Sequence, residues 1–261
     1  MKLVQWFLLI TFFITYASHG LLIYLLNHHN LVFDSGIGQL LFITGGSAPT
    51  IVAFLCIHKL GSQTGKATFY SQLKSFKQPL NFIMFALFAP LALTMMHVMF
   101  ALVGGFSLDE APLLPLYFVY LLPSIIFGGL EEIGWRGIVQ NHMKQFMSLF
   151  PLTIILGVVW ALWHLPMFFI DALPHSDNAF LPFLLQGIVF SMYLGWLFAK
   201  TKSLPLVIVF HAGINAAMSA GYYVGLTHRL STYLYIAVAF MVATVLIISY
   251  EKTAAIASDD A

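Results

Sequence analysis

Eight apolar runs of roughly twenty residues each limit what this chain can fold into. They fall at about 3–26, 36–58, 79–104, 112–130, 149–171, 181–199, 204–222 and 231–250. Segments this long and this poor in charge cross a bilayer as helices, because lipid offers no partner to an unpaired backbone N–H or C=O. They are too continuous for the alternating strands of a membrane barrel. Composition agrees: 60% of the 261 residues are hydrophobic and only 8% are charged, where soluble domains carry roughly 25%. The expected fold is an all-α polytopic membrane bundle of about eight transmembrane helices. Residues 1–261 form a single membrane domain, with no soluble domain beside it.

Charge placement orients the bundle. Lys2, Lys59, Lys66, Lys74, Lys77, Arg136, Lys144, Lys200, Lys202 and Lys252 fall on one side of an eight-span arrangement, and Arg229 alone falls on the other. Lysine and arginine accumulate in cytoplasmic loops, so both termini are expected in the cytoplasm. The opposite loops carry Asp34, Asp109, Glu110, Asp171 and Asp177. The first run is longer than a signal-peptide core and reads as an uncleaved span, with Ala17 and Ser18 as the alternative cleavage point. The lone Cys56 excludes an intrachain disulfide. No basic stretch with interleaved aromatics occurs, so no nucleic-acid partner is expected. Phe69, Leu73 and Phe76 recur at helical spacing between lysines, which predicts that 59–80 lies along the cytoplasmic interface.

Against this background, Glu131-Glu132-x-x-x-Arg136 is an anomaly. Each ionised side chain costs roughly 2.5–3.5 kcal/mol at a bilayer centre, so it needs a partner or a function. Glu132 and Arg136 are i and i+4 and share a helix face. Glu131 points elsewhere and keeps a carboxylate free to act as a general base. The plainer reading is a salt bridge at a helix end. Gly128, Gly129, Gly134 and Gly137 let neighbouring helices approach closely here.

Two further motifs put polar groups inside apolar runs. In Trp160-Ala-Leu-Trp163-His164-Leu-Pro166, the proline removes a hydrogen bond from the Leu162 carbonyl and would open space beside the His164 imidazole. A neutral histidine is a metal ligand or a proton acceptor, or else a core residue bonded to a carbonyl. In His211-Ala-Gly-Ile-Asn215 the i, i+4 spacing aims two hydrogen-bonding groups at one point. That suits an oxyanion hole or a ligand shell, or interhelical polar contacts. His19 and His97 read as structural. His58, His142, His175 and His228 sit near interfaces and call for no special role.

In order, spacing and placement on separate helices, these three motifs resemble those of the CPBP family, the CAAX-protease and bacteriocin-processing (Abi) intramembrane proteases. The resemblance covers roughly residues 110–222, a catalytic core for which spans 1–104 would be scaffold. The family usually has Phe where Trp160 stands, a change between aromatic packing residues. The resemblance implies peptide-bond hydrolysis within the membrane. It implies that Glu131 activates water with His164 as partner, that His211 and Asn215 stabilise the oxyanion, and that Glu132 and Arg136 hold the site together. Members have been described both as metalloproteases and as glutamate proteases. Glu131, His164 and His211 would be the ligands of a single divalent ion such as zinc. No His-Glu-x-x-His pair is present, which favours the metal-free version.

The implied substrate is a membrane-bound peptide or protein, such as a prenylated CAAX-type tail or a leader peptide; the compact span-and-loop layout suggests a bacterial inner membrane. A proton-coupled transporter and a non-proteolytic immunity or scaffold protein are the alternatives. One difficulty stands. Glu131 ends the fourth run, whereas His164 lies about 22 Å into the fifth at 1.5 Å per residue. The two meet only if the fifth helix starts outside the bilayer or tilts, or if the fourth continues past Arg136.

Overall fold

A computed structural model describes residues 2–106, 114–221, 225–227 and 229–259. Asp109, Glu110, His228 and the first residues of the run beginning at 112 lie outside them. Every regular element among the described residues is helical. Helices α1 (Lys2–His28), α2 (Gly36–Leu60) and α4 (Leu80–Val103) match the first three runs, with the short α3 (Gln63–Leu73) between the last two. Then come α5 (Leu114–Ile126), an irregular α6 (Gly129–Met143), α7 (Leu149–Trp163), α8 (Phe180–Thr201), α9 (Leu204–Ser219) and α10 (Leu230–Asp259).

Six segments are long and apolar enough to cross a membrane: α1, α2, α4, α7 with its extension to Phe169, α8 and α10. Together α5 and α6 make a seventh, bent by 43°, while α9 is a shorter apolar helix. Large side chains such as Leu9 and Phe13 face outward at 62% and 72% exposure, as lipid-facing residues do.

The fourth run differs from its expected form. Its helix stops at Ile126, breaks at Gly128, and restarts as a 3₁₀ turn, an α turn and a π turn over 135–140. An apolar run ends at its first charge, but this chain carries its charges onward through the bundle. Here Glu132 and Arg136 are fully buried, so Arg136 does not belong to the lysine-bearing face. Within the 59–80 segment the apolar residues divide. Phe69 is buried against Phe54 and Tyr70, and a Cβ at Gly137 would press on its ring. Phe76 is instead 69% exposed.

The bundle centres on α6. Trp135 meets Phe7 of α1 edge-on at 5.5 Å and Trp163 of α7 at 5.8 Å. The Trp163 indole N–H donates to Thr15 Oγ1 (2.7 Å), whose hydroxyl donates to the Gly45 carbonyl (2.8 Å). This chain of bonds fixes the end of α7 against α1 and α2. The glycines serve the close approach expected of them: a Cβ at Gly129 would reach the Ile208 carbonyl and one at Gly134 would strike Phe7.

Candidate active site

Pro166 ends α7 as its chemistry requires. The last helical residue is Trp163, and a 3₁₀ turn over Leu165–Phe169 follows. The Leu162 carbonyl that proline deprives of its helical partner accepts from the Tyr16 hydroxyl at 2.6 Å. His164 therefore sits at a helix terminus rather than at a kink. Its Nδ1 lies 2.9 Å from the Trp160 carbonyl. With the proton on Nδ1, that bond leaves Nε2 as an acceptor.

Glu132 and Arg136 pair as their spacing predicts, Oε2 to Nη1 at 2.8 Å. The pair is extended on both sides. Arg136 Nη2 donates to the Ser191 hydroxyl (3.1 Å) and carbonyl (3.3 Å) on α8. The other Glu132 oxygen lies 2.7 Å from His211 Nδ1 on α9. These bonds offset part of the cost of burying the pair, although Arg136 Nε is left without a hydrogen-bond partner.

The Glu131 carboxylate points away from this network, and its Oε2 accepts from the Trp160 indole N–H at 3.0 Å. Trp160 is thus more than packing: it donates to the proposed base, which a phenylalanine could not do. Its ring also lies 4.2 Å from that of His164 and 5.8 Å from that of His211. Asn215 donates from Nδ2 to the Phe127 carbonyl (3.3 Å) at the helix break. Gly128 makes this possible, since at φ +137° it adopts a conformation rare for other residues, and a Cβ there would overlap Asn215 Nδ2.

Glu131, His164, His211 and Asn215 all line one cavity of about 280 Å³. Its remaining wall comes largely from α2, through Phe42, Ile43, Ser47, Thr50 and Ile51. Glu131 and His164 share this cavity because α6 carries the fourth span past Arg136, which resolves the difficulty of depth. Neither His19 nor His97 lines the cavity: the first stands behind its wall, 3.2 Å from the Phe42 carbonyl, and the second stacks on Tyr235.

One lining residue escaped sequence reasoning. His175, in the connection between α7 and α8, stacks on His164 with ring centres 5.8 Å apart. It has no helical periodicity and lies in a polar stretch. The only available signal was that the connection must fold back over His164 to reach α8. Burial, reinforced by His19, lowers the His175 pKa to about 4, so the ring is neutral at physiological pH.

Among the described residues, no three His, Cys, Asp or Glu side chains are arranged to hold a metal ion. Glu131 Oε2 and His211 Nδ1 are engaged by Trp160 and Glu132. The Nε2 atoms of His164 and His211, left uncommitted by the bonds at Nδ1, would be the ones to hold a divalent ion with Glu131; no catalytic step is routed through a metal.

A helical bundle that gathers a Glu, two His and an Asn around one cavity carries the groups that an integral membrane hydrolase needs. Residues 111–217 match the family model for type II CAAX prenyl endopeptidases, Rce1-like. The chain is also similar to CAAX prenyl protease 2 of Methanococcus maripaludis, at 29% identity over 204 residues, covering 69% of this chain and 72% of the relative. Both similarities support the resemblance of these motifs to the CPBP family of intramembrane proteases.

Proposed function

We propose that the protein is an intramembrane endopeptidase that cleaves a membrane-associated peptide with water activated by Glu131. The observation that carries this reading is the convergence of Glu131, His164, His211 and Asn215 on one cavity. The Glu131 carboxylate takes a proton from water while the water oxygen bonds to the scissile carbonyl carbon. The His164 Nε2, presented by the Nδ1–Trp160 bond, accepts a second hydrogen bond from that water and orients it. The carbonyl oxygen becomes an oxyanion. Asn215 has a second amide N–H beyond the one given to Phe127, and a doubly protonated His211, held by Glu132, donates from Nε2. Both are suited to stabilise that charge where it develops. The C–N bond then breaks, and Glu131 returns its proton to the leaving amine.

Glu132 and Arg136 are positioning residues in this scheme, because they reach the cavity only through His211. Glu131→Gln keeps size and polarity but removes the base. Purified Glu131→Gln in liposomes with a quenched membrane-anchored peptide is expected to lose cleavage while its thermal unfolding stays near that of wild type. Retained cleavage would overturn the assignment.

A further inference from the structure

Trp160 stands between two cavities. Its indole N–H reaches Glu131, on the wall of the catalytic one. Its ring lines the other, of about 110 Å³, together with Thr94 and His97 of α4, Gln186 of α8 and Met218 of α9. This second cavity extends to Asn178 and Leu226, in the connections that follow α7 and α9. Among the described residues, His175 alone lines both cavities.

The second cavity has the character of a wet one. Two ring nitrogens of residues on its wall, His97 Nε2 and His175 Nδ1, are buried and have no hydrogen-bond partner among the described residues. Buried polar atoms are normally satisfied by protein or by ordered water. The Thr94 hydroxyl donates back to its own helix, to the Pro90 carbonyl (3.1 Å) and the Leu91 carbonyl (2.9 Å), which leaves its oxygen able to accept. Water occupies a cavity that is roomy and offers two to four polar partners, whereas an apolar cavity stays dry. One molecule takes about 30 Å³ in the liquid, so this cavity has room for a small cluster.

Hydrolysis consumes one water per cut. The catalytic cavity meets lipid past the exposed Ile43, Ile126 and Phe127. A peptide arriving from the bilayer enters there and displaces the water it meets. The second cavity lies behind Trp160, off that path. Resting on the protease reading above, we infer that the second cavity is a water-binding chamber that resupplies the Glu131 site past His175 while a peptide fills the catalytic cavity. Thr94 and His97 hold that water and do not touch the peptide.

Hydration is tested without proteolysis. Short X-ray pulses turn bound water into hydroxyl radicals that oxidise adjacent methionines. In wild-type protein in liposomes, Met218 should be oxidised faster than Met241, which is 58% exposed on the outer face of α10. Two variants of matched size separate polarity from volume. Thr94→Val/His97→Leu makes the wall apolar, and Thr94→Ser/His97→Gln keeps it polar. Met218 oxidation should fall in the apolar pair and persist in the polar pair. Oxidation of wild-type Met218 no faster than that of Met241 overturns the chamber, as does equal oxidation in the two pairs.

Delivery is tested on a quenched membrane-anchored peptide. The apolar pair should lower kcat at least fivefold with KM within twofold of wild type, and the polar pair should keep both within twofold. A kcat within twofold for the apolar pair, or an equal loss in both pairs, overturns delivery. If the wild-type protein cuts no peptide, the protease reading fails and delivery with it, while Met218 oxidation still decides whether the chamber binds water.

Discussion

Trp160→Phe separates two roles that one aromatic ring performs. Phenylalanine keeps a flat ring beside His164, His211 and Phe183, to which the indole is close at 4.2, 5.8 and 5.8 Å. It removes the single N–H donated to Glu131 Oε2 at 3.0 Å. Hydrogen bonds to charged groups contribute about 1.5–3 kcal/mol, and more is at stake where the partner is left buried and unsatisfied. Glu131 is such a case, at 8% exposure. If that energy holds the carboxylate in its attacking position, a barrier increase of about 1.5–3 kcal/mol lowers kcat/KM by roughly 10–150-fold, since 1.36 kcal/mol is tenfold in rate.

Trp160 also walls a second cavity of about 110 Å³ behind the site, so the smaller ring leaves a void. Its cost falls on stability, of order 1–3 kcal/mol for a lost part of a buried side chain. The two effects are read separately, as kcat/KM on a quenched membrane-anchored peptide and as thermal unfolding in detergent. A variant that unfolds earlier but cleaves within twofold of wild type at a permissive temperature would refute the positioning argument and leave the indole as packing. A family in which phenylalanine is usual at this position makes that outcome a real alternative.

Gly128→Ala should displace Asn215 and strain a backbone at φ +137°, a conformation costing about 1–3 kcal/mol; kcat/KM should fall at least as far as it does for Asn215→Ala. Arg136→Met leaves Glu132 buried opposite His211 without its guanidinium, and breaking a buried pair costs about 3–5 kcal/mol. Unfolding in detergent should show this, with the double variant Arg136→Met/Glu132→Gln less destabilised than the single one. Lys202 caps α8 at φ 52°, a left-handed conformation that costs a residue with a Cβ about 1–2 kcal/mol. Lys202→Gly should raise the unfolding temperature, and Lys202→Ala should not.

What the sequence made legible was whatever depends on local spacing. The i, i+4 rule paired Glu132 with Arg136 and pointed Glu131 elsewhere, and both hold although the helix there is part 3₁₀ and part π. The proline rule identified the Leu162 carbonyl as needing a new partner. It could not name Tyr16, which lies 146 residues away. The apolar-run rule failed at the fourth span because it treats charge as the end of a membrane segment. Inside this bundle Glu132, Arg136, His211 and Ser191 satisfy one another, so the segment continues. The spacing of Phe69 showed an amphipathic segment but not what its apolar face meets; the close approach that buries Phe69 depends on Gly137, far along the chain.

The same network explains why a charged motif can stand at the centre of an apolar helical bundle. Burying Glu132 and Arg136 is costly and, by comparison with apolar residues of similar size, adds little to stability. What the pair adds is register. Its hydrogen bonds reach α8 through Ser191 and α9 through His211, so α6 cannot slide or rotate without leaving a charge unpaired. Packing of apolar side chains against lipid-like neighbours gives no comparable penalty, because lipid tails are as apolar as leucine. Glu131 is one residue from Glu132, and a base must be held to within about 0.5 Å. A helix broken at Gly128 would not supply that precision by itself; the ion pair next door can, and it does so without occupying the carboxylate proposed as the base.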